Sequence, residues 1–352
     1  MREKLTKYYQ DLHQIPEEGF NEIKTQKYIL EKLKQLHCTI YELVPTGIIA
    51  FFDYGSSQCI AFRCDMDALP INEETNFLYK SNHEGYMHAC GHDGHMAILI
   101  SMAEKLENIK CPKNICLIFQ PSEEVYGGAL KIINSKILTD LNVKEIYGLH
   151  LWPNLKKGII ASRNKIMMAS STEIDITVIG KEVHIANKDE GIDAIKVGYQ
   201  LLNKIKEEDI LFNCGKITTQ GARNIVCGKI QLDCSLRSFS DIKRRFFLKE
   251  LNTIAITLSE DTQANIYIDK KRYIPPLKNS LFLFEKHRHL IDEIIAPVFQ
   301  AEDFSFYTEK FKCLFLLLGV GNTESLHSKK FSFDPNVLEK GLNVFLKIAI
   351  TP

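Results

Sequence analysis

The rhythm of apolar and polar positions changes near the middle of the chain. In the first half, short apolar runs alternate with stretches of helical spacing. "TQKYILEKLKQL" (25–36) sets its apolar residues at helical intervals. "SQCIAFRCDMDALP" (57–70) reads as a buried strand running into an Asp-rich loop. "HMAILISMAEKLENI" (95–109) predicts a helix with a wide apolar face, and "NICLIFQ" (114–120) a short apolar strand followed at once by "PSEE". "VKEIYGLHLW" (143–152) is a further strand. Alternation of this kind predicts an α/β domain built on a mostly parallel sheet.

From Ser170 the period shortens to two. In "STEIDITVIG" (171–180), Ile174, Ile176 and Val178 fall on one face and Glu173, Asp175 and Thr177 on the other. An amphipathic helix follows over 192–205, through Ile192, Ile195, Tyr199, Leu202 and Ile205. Strands are predicted at 211–219, 229–239 and 264–270, and a helix over 240–258 with Ser240 as its N-cap. The order β-α-β-β-α-β is that of a ferredoxin-like domain. We therefore expect residues 170–270 to form an inserted domain, with 1–169 and 271–352 making up the first. A chain of 352 residues exceeds what one core usually serves, which agrees with two domains.

Composition narrows the function by exclusion. Lys plus Arg equals Asp plus Glu at 44 each, so nothing marks a surface for nucleic acid or for anionic membrane. No apolar run is long enough to span a bilayer, and the charged start "MREKLTKYYQDLHQ" has no signal-peptide core. The ten cysteines are scattered, as expected of reduced thiols in a cytoplasmic protein. Cys111 and Cys116 have no second pair and read as structural.

The chemistry concentrates in a few stretches. "MHACGHDGH" (87–95) holds His88, Cys90, His92 and His95 beside a helix start. Thiolate plus imidazole suits zinc or another first-row metal. A buried thiol among hydrogen-bonded histidines fits this stretch equally. "QPSEEVYGG" (120–128) puts Glu123 and Glu124 directly after an apolar strand, where open α/β sheets place their ligands. Two adjacent carboxylates repel unless their roles differ: one ligates, the other takes a proton from water. A solvated loop is the plainer reading. His150 in "GLHLW" and His327 in "ESLHS" add two more candidates, though a core histidine bonded to backbone would look like His150. Cys90, His92, Glu124, His150 and His327 together exceed what one catalytic zinc needs. They fit a pair of metals about 3.5–4 Å apart that share a water, with Glu123 as general base.

These motifs occur in an order that is recognisable. "DLHQIPEEGFNE" (11–22), "FRCDMDALPINEET" (62–75), "MHACGHDGHMA", "FQPSEE", "GLHLWPNLKKG", "AEDFSFY" (301–307) and "LHSKKFSFD" (326–334) resemble, over nearly the whole chain, the aminoacylase/carboxypeptidase family of dinuclear metallopeptidases in its amidohydrolase, hippurate hydrolase-like branch. The resemblance implies the same five ligands and Glu123 as base. It also implies two divalent ions per subunit, manganese or zinc, with cobalt or nickel as substitutes. Asp65 and Asp67 match residues that orient ligands rather than bind metal; a capped loop is nearly as good a reading of Asp65. The family architecture is a catalytic domain with an inserted lid that mediates homodimerisation.

In the lid, "VIGKEVHIANKDEGID" (178–193) stands where the family has a Gly-Gly-His pattern followed by proline. His184 matches the histidine thought to reach the substrate carbonyl. Glu182 and Val183 replace the two glycines and Lys188 the proline, which puts the loop's geometry in question. Asn224 and Arg237, in "GARNIVCGKIQLDCSLRSF" (221–239), match candidates for binding the substrate carboxylate or oxyanion; a surface charge on an alternating strand also explains Arg237. The function expected is hydrolysis of an N-acyl amino acid, a small molecule. The alternatives are a general aminoacylase or hippurate-type hydrolase, and a catalytically weak binder of amino-acid derivatives.

Overall fold

The structure, a computed structural model, describes residues 2–206 and 210–352. The chain divides into two compact units. One comprises Met1–Lys165, Lys278–Ala296 and Asp303–Pro352; the other comprises Ile166–Leu277 and Pro297–Glu302. The second unit thus also takes a short segment from the region that the pattern assigns to the first.

The first unit is built on an eight-stranded sheet. Its centre consists of Asn114–Gln120, Cys59–Asp65, Val143–Pro153 and Lys312–Gly321, in that order and all parallel. Every residue of Cys59–Asp65 and Asn114–Gln120 is buried. Strands covered on both faces need no alternation, which is why these read as continuous apolar runs. The flanks depart from the parallel rule. Gly47–Phe52 lies antiparallel to Asn114–Gln120 and forms a hairpin with Thr39–Leu43, and Ile160–Ser162 lies antiparallel to Lys312–Gly321.

Helices Arg2–His13, His92–Leu106 and Leu338–Ala349 pack together over this sheet. The middle one begins at His92, three residues earlier than its apolar spacing predicts. "HDG" carries no apolar periodicity; polar contacts hold this first turn instead. Gly91 precedes it with φ +83°, and a Cβ there would come within 3.0 Å of Leu151 Cδ1. Only glycine meets both conditions without strain.

The second unit is a four-stranded antiparallel sheet in the order Leu211–Thr219, Lys229–Ser238, Ser170–Ile179, Asn265–Ile274. Ile174, Ile176, Val178, Leu232 and Leu236 point from the sheet into a core shared with helices Ala194–Lys204 and Asp241–Thr262. This is the ferredoxin-like βαββαβ arrangement that the alternation predicts. Asp193 caps the first helix by accepting from the Ile195 and Lys196 amides. Ser240 caps the second by accepting from the Lys243 amide. Such caps contribute about 1 kcal/mol each. A small ribbon pairs Val183–His184 with Ile225–Val226. Among the described residues no helix is long and apolar enough to cross a membrane.

Candidate metal centre

The polar side chains converge at the carboxyl ends of the central parallel strands. Ligand-capable atoms of Cys90, Glu124 and His327 lie within 4.8 Å of one another. The same holds for His92, Glu123 and Glu124, and for Asp65, His92, His95 and His150. The nine-residue cluster 87–95 is sorted by its hydrogen bonds. His92 Nδ1 lies 2.9 Å from the Asp67 carbonyl, to which it donates, and its buried Nε2 has no hydrogen-bond partner. His150 Nδ1 donates to the Leu151 carbonyl at 2.6 Å, leaving Nε2 3.5 Å from Cys90 Sγ. His92 therefore presents an unpartnered Nε2, and His150 an Nε2 that faces the Cys90 thiol, so both Nε2 atoms are turned towards the other candidate ligands, as a metal requires.

His95 differs. Its Nε2 accepts the Leu151 amide at 2.9 Å and its Nδ1 donates to Asp65 Oδ1 at 2.6 Å. With both nitrogens engaged it orients neighbours and has no lone pair for a metal. His88 is buried, and burial pulls its pKa down to about 4, so it stays neutral.

Asp65 and Asp67 act through their neighbours. Asp65 Oδ2 accepts from Arg63 and Oδ1 from His95. Asp67 Oδ2 accepts the Glu124 amide at 2.8 Å, and its main-chain oxygen fixes His92. Glu124 Oε1 sits 3.1 Å from His327 Nε2 and 4.0 Å from His92 Nε2. His327 adopts φ +64°, unusual for a residue with a side chain, and its amide donates to the Ala89 carbonyl at 2.9 Å. That bond ties the loop bearing His327 to the segment bearing Cys90. The adjacent carboxylate, Glu123, is held from elsewhere: its Oε1 accepts the Asp303 amide at 3.3 Å.

The electrostatics call for added positive charge. Burial works against a charged His92, yet Asp65, Asp67 and Glu124 outweigh it and raise its pKa to about 10. Burial pushes the Cys90 thiol well up, and Glu124, Glu123 and Asp65 push it further. Burial alone would raise Glu124, but His327 and His92 hold it below the ordinary glutamate value. A thiol among carboxylates becomes a thiolate only opposite a cation. Two orphaned buried acceptors, His92 Nε2 and Asp67 Oδ1, point the same way. The donor set of one thiol, three imidazoles and a carboxylate fits first-row divalent metal.

In the second unit, the ribbon brings His184 opposite Ile225, and the Asn224 carbonyl accepts the Ile185 amide at 2.9 Å. Among the described residues Glu182 and Val183 have no positive φ. Their bulk is accommodated by other glycines: a Cβ on Gly228 would lie 2.9 Å from Glu182 Cβ, and one on Gly191 would lie 2.5 Å from Val183 Cγ2. The loop thus keeps a regular backbone without its usual glycines. His184 is exposed, and its Nδ1 accepts the Ala186 amide at 3.2 Å, so a neutral ring carries its proton on Nε2. Arg237 is half-buried near the far end of Lys229–Ser238, roughly 25 Å from the ribbon end at 3.3 Å per residue. One subunit's Arg237 does not join its own His184 and Asn224.

Several residues in the centre carry no role in the sequence reading: Arg63, His95, Gln120 and Asp303. Arg63 and Asp303 stand inside recognisable motifs, "FRCDMDALP" and "AEDFSFY", but only the fold shows that they touch.

The sequence profile of peptidase family M20/M25/M40 matches residues 61–351, and the chain belongs to that family. It is a hydrolase acting on amide bonds. It is 30% identical to an N-acetyldiaminopimelate deacetylase of Streptococcus uberis, over 94% of both chains. It is 28% identical to one of Leuconostoc mesenteroides, over 97% of this chain and 95% of that one. Among solved structures, it resembles a Bacillus subtilis dinuclear metal-binding peptidase of the M20 family, with TM-score 0.88 and 27% identity over 99% and 97% of the two chains.

Proposed function

We propose that this protein is a dinuclear metal-dependent deacetylase that converts N-acetyl-LL-2,6-diaminopimelate to LL-2,6-diaminopimelate and acetate, a cytoplasmic step of lysine biosynthesis. The observation that carries the metal reading is the set of overlapping clusters that brings Cys90, His92, Glu124, His150 and His327 together at the strand ends beside a separately held Glu123. The substrate reading is supported by the names of the relatives and by the stretches "DLHQIPEEGFNEIKTQKYIL" and "SNHEGYMHACGHDGHM", which most resemble such deacetylases.

In this reading the five ligands hold two divalent ions, manganese or zinc, with cobalt or nickel able to replace them. Such ions polarise the amide carbonyl and lower the pKa of the attacking water. Glu123 removes a proton from that water and delivers it to the leaving amine. Its bond from the Asp303 amide fixes which oxygen faces the reaction. His184 offers Nε2–H to the carbonyl oxygen as negative charge builds there. Arg237 and Asn224 bind the substrate carboxylate. The first unit is the catalytic domain and the second the lid, through which two copies form a homodimer.

The test is amine release from N-acetyl-LL-diaminopimelate beside N-acetyl-methionine and hippurate, using chelator-stripped protein with and without manganese. Metal-dependent turnover confined to the diaminopimelate derivative is the expected result. Comparable rates on simple N-acyl amino acids would make the protein a general aminoacylase. No turnover at full metal occupancy would leave a binder of amino-acid derivatives.

A further inference from the structure

Arg63 is 1% exposed, at the heart of the first unit, on the strand leading into the metal centre. Its Nη1 donates to Asp65 Oδ2 and its Nη2 to Asp303 Oδ1, both at 2.8 Å, while Nε donates to Gln120 Oε1 at 2.9 Å. The two carboxylates lead to different residues of the centre. Asp65 receives His95, and His95 accepts the amide of Leu151, the residue after His150. Asp303 also receives Gln120 Nε2 at 2.9 Å and the Ala129 amide at 3.1 Å, and its own amide donates to Glu123. Tyr307 donates to Gln120 Oε1 at 3.1 Å. One guanidinium therefore joins the strand of His150 to the residue that holds Glu123.

Stability alone gives little reason for this arrangement. Burying a guanidinium between two carboxylates carries a desolvation cost that often cancels the attraction, and apolar side chains would fill the space as well. What a guanidinium adds is a planar fork that fixes two acceptors at set angles, which a lysine cannot do.

We propose that Arg63 and Asp303 are positioning residues for hydrolysis: Arg63 locks Asp303, and Asp303 aims the Glu123 carboxylate relative to the metal ligands. The proposal rests on Glu123 being the proton carrier. Both residues are buried and offer no exposed surface to a substrate, so their loss is expected to act on kcat rather than KM. Misplacing a reacting group by about 1 Å costs up to about a hundredfold in rate.

The experiment is a double-mutant cycle on the metal-loaded full chain: Asp303→Asn and Arg63→Lys, each alone and combined with Glu123→Gln. Metal content and melting temperature are measured throughout. Asp303→Asn is expected to lower kcat by about tenfold to a hundredfold while KM stays within about twofold and both ions are retained. Arg63→Lys behaves alike although it keeps the charge. In the Glu123→Gln background, Asp303→Asn costs nothing further, because there is no carboxylate left to aim. A full additive loss in that background overturns the proposal, as does a drop in rate explained by lost metal. If Arg63→Lys fails to fold, Asp303→Asn decides alone. If Glu123→Gln itself stays active, the proton-carrier reading falls. If it is inactive while Asp303→Asn turns over normally, only the positioning proposal falls.

Discussion

Two adjacent glutamates meet different surroundings, and at the scale of residues this is the centre's main device. Glu124 is drawn towards His327 and His92, which hold its pKa down. Glu123 is fixed by a main-chain amide and lies close enough to His92 and Glu124 to share their space. Replacing each in turn separates ligand from base. Glu123→Gln should retain two metals per chain and lose about 10²–10⁴-fold in kcat, the range of a general base. Glu124→Gln should lose metal first, read by elemental analysis after dialysis, with activity partly restored by excess manganese. Equal metal loss in both variants would mean that Glu123 is itself a ligand.

At the scale of elements, the centre depends on how the helix His92–Leu106 is anchored. Its second residue, Asp93, accepts His13 Nδ1 at 2.6 Å, and His13 Nε2 lies 3.2 Å from Glu73. His13 ends the N-terminal helix, so one imidazolium staples two helices and the 71–83 loop together. Burial opposes its charge, but Asp93 and Glu73 raise its pKa to about 9; Tyr9, Tyr79 and His88 also face it. A folded pKa above the unfolded value means that this contribution is complete below about pH 6.5 and is lost as pH rises through about 9. His13→Gln should therefore lower the melting temperature by a few degrees at pH 6, and by clearly less at pH 9.5. An equal deficit at both values would show that only packing was lost. None of this pairing is legible in the sequence, where His13, Glu73 and Asp93 stand far apart and no period links them. The central strands Cys59–Asp65, Asn114–Gln120 and Val143–Pro153 were legible, because burial on both faces makes continuous apolar runs and because each ends in a polar burst. The histidines of 87–95 were legible as a group, and the ordered motifs singled out His92 as a ligand, but the physical ground for choosing it over His95 was not legible. Only the Leu151 amide against His95 Nε2 and the Asp67 carbonyl against His92 Nδ1 tell the two rings apart. The antiparallel flank strands escaped for the opposite reason: they are short, and their pairing to the central strands joins segments distant in sequence.

At the scale of the whole molecule, the second unit argues for a partner. Its sheet ends in two open strands, Leu211–Thr219 and Asn265–Ile274, which expose Ile217 and Tyr267, and its helix Asp241–Thr262 exposes Phe246. Open edges and exposed apolar side chains favour association. The separation of Arg237 from His184 and Asn224 sharpens the case. If all three touch one small substrate, they must come from different copies. Light scattering should then give about twice 40.3 kDa. A complementation experiment goes further: His184→Ala and Glu123→Gln, each inactive alone, are mixed under conditions that exchange subunits. If His184 serves the partner's centre, a mixed dimer has one intact site, combining Glu123 of one copy with His184 of the other. Random exchange then restores about a quarter of wild-type activity. If His184 serves its own subunit, every site in the mixture lacks one group and no activity returns. A monomer in solution would remove the cross-subunit role, and Arg237 would then need a task other than holding the same substrate as His184.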